Sequence, residues 1–175
     1  MIGAVLERFG RLDILVNNVG TFLRRDVMDQ GDEEWHRVPQ SNLSSVFFCT
    51  RAVLLVIRQQ RWGRIVNLGI TGGQHCAPAP HMSAYVAAKT GMMAFSRCVA
   101  LEEAAYGITV NVVCPGVVQD TERSLAEARN LRDEAVPVGR PGVWEDIANA
   151  VLFFVSEEAE FVTGAVLEVN GGWRG

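Results

Sequence analysis

Four short apolar runs, residues 13–16, 64–68, 108–113 and 165–169, punctuate the chain, each bounded by polar or turn-forming residues. Runs of this length predict strands, and their near-continuous apolar character predicts cover on both faces. Between them the apolar spacing shifts to the helical period. From Asp32 the chain carries a cap residue, then Glu33 and Glu34 in a first turn. A stripe of Val46, Val53 and Ile57 follows, with Arg58 and Arg61 late and Gly63 after the end. Pro39 lies inside this run and predicts a kink or a split, because it lacks an amide hydrogen and its ring clashes with the preceding turn. A second helix is predicted over Ser83–Glu103, stopping near Gly107. A third carries Ile147, Val151 and Phe154 on one face, and the chain opens at Met1 already in a helical pattern. Strands alternating with helices specify an α/β fold with a parallel sheet. Between Pro115 and Pro141 the pattern weakens. Residues 121–133 are charged and helix-prone but poor in large apolar anchors, which fits a mobile flap or an ordinary solvated helix.

At 175 residues and 49% hydrophobic content the chain can bury a core, most simply as one domain. A net charge of −4, with no Lys/Arg cluster, excludes a footprint for a row of nucleic-acid phosphates and leaves a small molecule or a second copy as partner. The longest unbroken apolar stretch, residues 52–57, is too short to span a bilayer, and no leader pattern precedes it. The expectation is therefore no membrane association and a cytoplasmic location. Cys49, Cys76, Cys98 and Cys114 are irregularly spaced, which predicts free, mostly buried thiols. His75 and His81 have no acidic neighbour in sequence, so no metal site is expected.

Tyr85 and Lys89 are the chemically distinctive pair. At i and i+4 of the predicted helix they share a face, placing a phenol and an ammonium toward one ligand in an acid/base arrangement.

Several motifs occur in order with this pair: Asn17-Asn18-Val19-Gly20, Asn42 in Ser41-Asn42-Leu43, Arg64-Ile65-Val66-Asn67, Asn111 to Pro115-Gly116, and Thr163-Gly164 with Gly171-Gly172. Together they resemble the short-chain dehydrogenase/reductase family over essentially the whole chain. The segments around Tyr85 to Gly91 and Glu168 to Gly172 are most similar to the 3-oxoacyl carrier-protein reductases. The resemblance implies the C-terminal portion of a doubly wound, Rossmann-like parallel sheet, NAD or NADP as cofactor, and a carbonyl or secondary alcohol substrate. It also implies a homodimer or homotetramer joined through the helices holding residues 46–57 and 92–100.

By the same resemblance Tyr85 gives a proton to the carbonyl oxygen or removes it in reverse, and Lys89 holds the nicotinamide ribose. An ammonium near a phenol, whose free pKa is about 10, favours the phenolate, so Lys89 is expected to tune Tyr85 downward. Asn42 is implied to hold a relay water. Asn17, Asn18 and Gly20 follow the carboxyl end of a strand, where open α/β sheets bind ligands, and Gly20 permits close backbone approach. Pro115 and Gly116 are implied to line the nicotinamide side. Plainer roles compete: Asn17 and Asn18 as strand-end partners of backbone groups, Asn42 as a helix cap after Pro39, Tyr85 as a core residue.

The sequence departs from the family in two places. Where the family places a carbonyl-polarising Ser, this chain has Ile70 in Gly69-Ile70-Thr71-Gly72-Gly73; a small shift would bring Thr71 into that role. No glycine-rich strand-to-helix turn precedes residue 13, so the nucleotide-binding half, roughly seventy to eighty residues by the size of a βαβαβ unit, is expected to be absent and strand 13–16 to lie at a sheet edge. A relative that keeps the fold for assembly or ligand binding, and a hydratase or epimerase variant without net redox, are the rival readings.

Overall fold

The computed structural model describes residues 2–77, 79–118 and 122–173. Helix α1 (Ile2–Phe9) leads into strand β1 (Ile14–Asn17), followed by α2 (Asp32–Pro39), α3 (Ser45–Gln60), β2 (Gly63–Leu68) and α4 (Ser83–Glu103). Strand β3 (Ile108–Pro115), the short α5 (Leu125–Ala128), α6 (Trp144–Val155) and β4 (Val166–Val169) complete the chain. The four strands form one parallel sheet in the order β1-β2-β3-β4.

The α/β architecture read from the sequence is borne out, and the reason is visible in β2 and β3. Every residue of β2 is buried, as is all of β3 except Pro115. Ile65, Ile108 and Val110 meet Val53 and Ile57 of α3 and Val99 of α4 on one face. Val66, Leu68 and Val113 meet Ile147 and Phe154 of α6 on the other. Two central strands covered on both sides need continuous apolar sequence.

Pro39 ends α2, and a single π turn over Gln40–Ser44 joins it to α3, so the predicted interruption is a change of helical pitch. An 18-residue window of the combined run, residues 32–60, has a mean hydropathy of 1.3, apolar enough to cross a bilayer by length and composition. Val38, Val46, Val53 and Ile57 are buried among the sheet and α4, whereas Phe48 and Leu55 on the other side of the run are exposed. The C-cap of α3 differs from expectation: Arg61 adopts the left-handed conformation (φ 56°), and Gly63 opens β2. Between α4 and β3 the turn does require glycine, since Gly107 has φ 72° and a β-carbon there would come within 2.5 Å of the Arg61 carbonyl oxygen.

Of the weakly patterned segment, Gln119, Asp120 and Thr121 lie outside the described residues. The rest holds α5, whose start carries a capping box between Ser124 and Glu127. The Leu125 amide donates to Glu145 of α6, and the Val138 amide donates to the Gly171 carbonyl at 3.0 Å. Ala128 and Val136 are buried. This segment is thus tied to the body by backbone hydrogen bonds rather than by an apolar stripe. The cysteines also differ from expectation: all four are free, but only Cys114 is buried, while Cys76 and Cys98 are exposed.

Candidate active site

At the carboxyl ends of β2 and β3 the chain leaves the sheet through Gly69–Thr71 and Gly116–Val118, and helix α4 crosses beside them. The cleft between is a cavity of about 560 Å³. Tyr85 and Lys89 both face it, as their spacing on α4 predicts, together with Asn18, Thr71, Pro115 and Gly116.

Lys89 is only 5% exposed. Its Nζ donates to the Leu68 carbonyl oxygen at 2.6 Å and lies 5.7 Å from the centroid of the Tyr85 ring. Burial, opposed only weakly by Cys114, pushes the Lys89 ammonium down from its ordinary 10.5 to about 8. Burial also pushes the Tyr85 phenol above its ordinary value. This reverses the sign expected from the sequence, where the ammonium was to draw the phenol down. Desolvation penalises the phenolate, while the ammonium is aimed at Leu68. At neutral pH the pair is therefore a protonated phenol beside a buried cation.

Thr71 and Ile70 both line the cavity. The Thr71 hydroxyl donates to the Pro115 carbonyl at 2.9 Å, and the Gly72 amide donates to Glu168 Oε1 of β4 at 2.9 Å. Glu168 Oε2 in turn accepts from Asn170 Nδ2 at 2.9 Å. The loop after β2 is thus fastened to the ends of both β3 and β4.

Three of the sequence-predicted site residues do not reach the cavity wall. Asn17, paired with Asn67 in the β1–β2 register, donates from Nδ2 to Asn67 Oδ1 at 2.8 Å; Asn67 donates to Ser96 Oγ at 2.8 Å, and Ser96 to the Met92 carbonyl at 2.7 Å. Its amide is part of a polar chain linking the sheet to α4. Asn42, fully buried in the π turn, donates from Nδ2 to the carbonyls of Thr21 at 2.9 Å and Val38 at 3.0 Å. Its Oδ1 is buried with no hydrogen-bond partner among the described residues. Gly20 closes on that same group, because a β-carbon at Gly20 would sit 2.1 Å from Asn42 Oδ1. The close approach that Gly20 permits is to Asn42, inside the protein.

Phe22, Met82, Trp144 and Trp173 also line the cavity, and none stands out in the sequence. The Phe22 ring meets Tyr85 edge-on, with centroids 5.1 Å apart and planes at 82°. A tryptophan at the first turn of α6 and another just after Gly171-Gly172 were the available signals. Only the fold brings them to one cavity.

The cavity floor suits the nicotinamide end of a dinucleotide: a buried ammonium, an amide side chain at Asn18 and the Pro115–Gly116 backbone meet in one cleft. Residues 1–174 match the family described as enoyl-(acyl carrier protein) reductase. YtkK of Bacillus subtilis is 43% identical over 174 residues, covering 97% of this chain and 68% of that protein. The 3-oxoacyl-[acyl-carrier-protein] reductase FabG of Escherichia coli is 43% identical over 183 residues, covering 98% and 72%. The solved acetoin dehydrogenase YohF of Salmonella typhimurium superposes with a TM-score of 0.87 at 30% identity, covering 98% and 68%. With the sheet, the cleft and these similarities in agreement, the chain belongs to the short-chain dehydrogenase/reductase family of NAD(P)-dependent oxidoreductases, near its 3-oxoacyl carrier-protein reductases.

Proposed function

We propose that this chain interconverts a carbonyl compound and its secondary alcohol, with Tyr85 as the group that exchanges a proton with the substrate oxygen. The observation that carries this reading is the convergence of Tyr85 and Lys89, from one face of α4, on the cleft at the carboxyl ends of β2 and β3. When bound, NAD(P) supplies the hydride chemistry; Asn18, Lys89, Pro115 and Gly116 would hold its nicotinamide end. Tyr85, kept protonated by burial, donates to the developing alkoxide. Lys89 holds positive charge beside the phenolate that results, and its bond to Leu68 fixes its position. Asn42 anchors the π turn through Nδ2, and the relay water that the family resemblance implies for it would have to reach its buried, unpaired Oδ1 behind the cavity wall. Thr71 polarises the carbonyl only by turning its hydroxyl away from Pro115. Thr71→Val tests that step: unchanged turnover removes Thr71 from the mechanism.

Association of two or more copies through α3 and α4 belongs to the same reading, supported by Phe48, Leu55 and Leu101, exposed at 55%, 73% and 83%. A cytoplasmic location is carried with it as a family expectation. The decisive experiment is Tyr85→Phe, assayed by NAD(P)H oxidation over a panel of ketones. Loss of proton transfer is expected to lower turnover by about 10² to 10⁴ with the circular dichroism spectrum retained. Near-normal turnover in the Phe variant defeats the proposal.

A further inference from the structure

Among the described residues, the wall of the Tyr85 cavity holds one formally charged side chain, Lys89, at its floor. That ammonium is buried and already donates to the Leu68 carbonyl. No carboxylate, arginine or histidine among the described residues joins it there. Arg140 faces the neighbouring cleft instead, held by both oxygens of Asp146 at 2.9 and 2.7 Å. Apart from Asn18, Thr71, Tyr85 and Lys89 the lining side chains are apolar, and three of these are aromatic and come from separate parts of the fold: Phe22 after β1, Trp144 at the start of α6, and Trp173 after β4. Ile70, at the position where a hydroxyl was expected, extends this apolar surface.

We propose that the substrate is a neutral, ring-bearing ketone or its alcohol, and that Trp144 and Trp173 select it. The inference rests on the oxidoreductase reading of the same cavity. A keto acid entering here gives up the hydration of its carboxylate and, among the described lining residues, meets Lys89 alone as a cation, whose ammonium already donates to the Leu68 carbonyl, so charge is selected against. A flat ring loses no hydrogen bonds on entry and gains contact with aromatic faces and edges. Phe22, edge-on to Tyr85, sets one side of the space that the ring must occupy when its carbonyl reaches the phenol. The cavity, about 560 Å³, lies within the common range of roughly 300–1,000 Å³ for small-molecule sites and has room for such a ring beside a nicotinamide.

Three ketones test this by isothermal titration on the full chain, with and without oxidised cofactor: 4′-methylacetophenone, its charged analogue 4-acetylbenzoate, and the open-chain 2-nonanone. The neutral aryl ketone is expected to bind at least about tenfold more tightly than the acetylbenzoate and severalfold more tightly than the nonanone. Trp144→Leu and Trp173→Leu should each weaken the aryl ketone by about threefold or more, whereas Trp35→Leu, on the exterior of α2, should not. Equal or tighter binding of acetylbenzoate, no measurable binding of the aryl ketone at its solubility limit, or indifference to both cavity tryptophans would overturn the proposal. The ligand comparison in the wild-type chain needs no variant to fold. The two readings fail separately: turnover of acetylbenzoate that depends on Tyr85 sinks the substrate class alone, and the predicted binding order with turnover indifferent to Tyr85→Phe sinks the proton-donor role alone.

Discussion

Replacing Gly20 by Ala places one methyl group against the most constrained side chain near the site. The new β-carbon would lie 2.1 Å from Asn42 Oδ1 and 3.0 Å from its Cγ, both far inside contact distance. Gly20 does not use the left-handed backbone region, so the substitution carries no conformational penalty of its own. By itself a Gly→Ala change at such a place stabilises by about 0.4–1 kcal/mol through the unfolded chain. Asn42 cannot simply turn away. It is fully buried, and its Nδ2 serves the carbonyls of Thr21 and Val38 at 2.9 and 3.0 Å. Displacing it takes the Asn42 donor from the part-buried Thr21 carbonyl and from the buried Val38 carbonyl, which keeps the Ser41 hydroxyl at 3.2 Å, so a net loss of about 1–3 kcal/mol follows. For a domain of this size that lowers Tm by about 3–8 °C. The assay is a double-mutant cycle by urea unfolding. Asn42→Ala alone is destabilising, but on that background Gly20→Ala should cost nothing or stabilise slightly, because the obstruction is gone. If the two single costs add to within about 0.5 kcal/mol, the contact is not what demands glycine at position 20.

Three further outcomes are expected. Between about pH 8 and its ordinary 10.5, Lys89 is deprotonated in the folded chain but protonated in the unfolded one, so stability rises with pH across that window. At 1.36 kcal/mol per pH unit the gain is about 3 kcal/mol, and it should vanish in Lys89→Met; parallel urea-unfolding profiles of the two proteins from pH 8 to 10.5 would contradict the shift. Glu168→Ala removes the acceptor for the Gly72 amide and Asn170, and should cost about 1–2 kcal/mol while speeding hydrogen exchange at Gly72. Glu168→Gln keeps Oε1 and should restore protection, so equal exchange in the two variants refutes the clamp. Light scattering of the wild-type chain should show a dimer or larger, and Leu55→Glu with Leu101→Glu should shift it toward monomer; a dilution-resistant wild-type monomer would remove α3 and α4 as an interface.

The fold class and the acid/base pair were legible in the sequence because both are encoded locally. Ile65 to Leu68 and Ile108 to Cys114 are apolar enough to require cover on both faces, and they form the two central strands. Ser83–Glu103 is helical over the predicted span, and the i, i+4 geometry alone delivers Tyr85 and Lys89 to one cleft. Pro39 announced its interruption by its missing amide hydrogen, though not the π turn that carries Asn42. What a side chain meets across the fold is not local, and there the tertiary structure decided. The β1–β2 register turned Asn17 to Asn67, and the return of the chain through the π turn set Asn42 against Gly20. Residues as distant as Phe22 and Trp173 came to line one cavity only when the ends of β1 and β4 and the start of α6 were placed around α4. The phenol of Tyr85 shifts up rather than down for the same reason. Sequence spacing reports which charge is near, whereas desolvation depends on everything packed around the group, and only the folded chain fixes that.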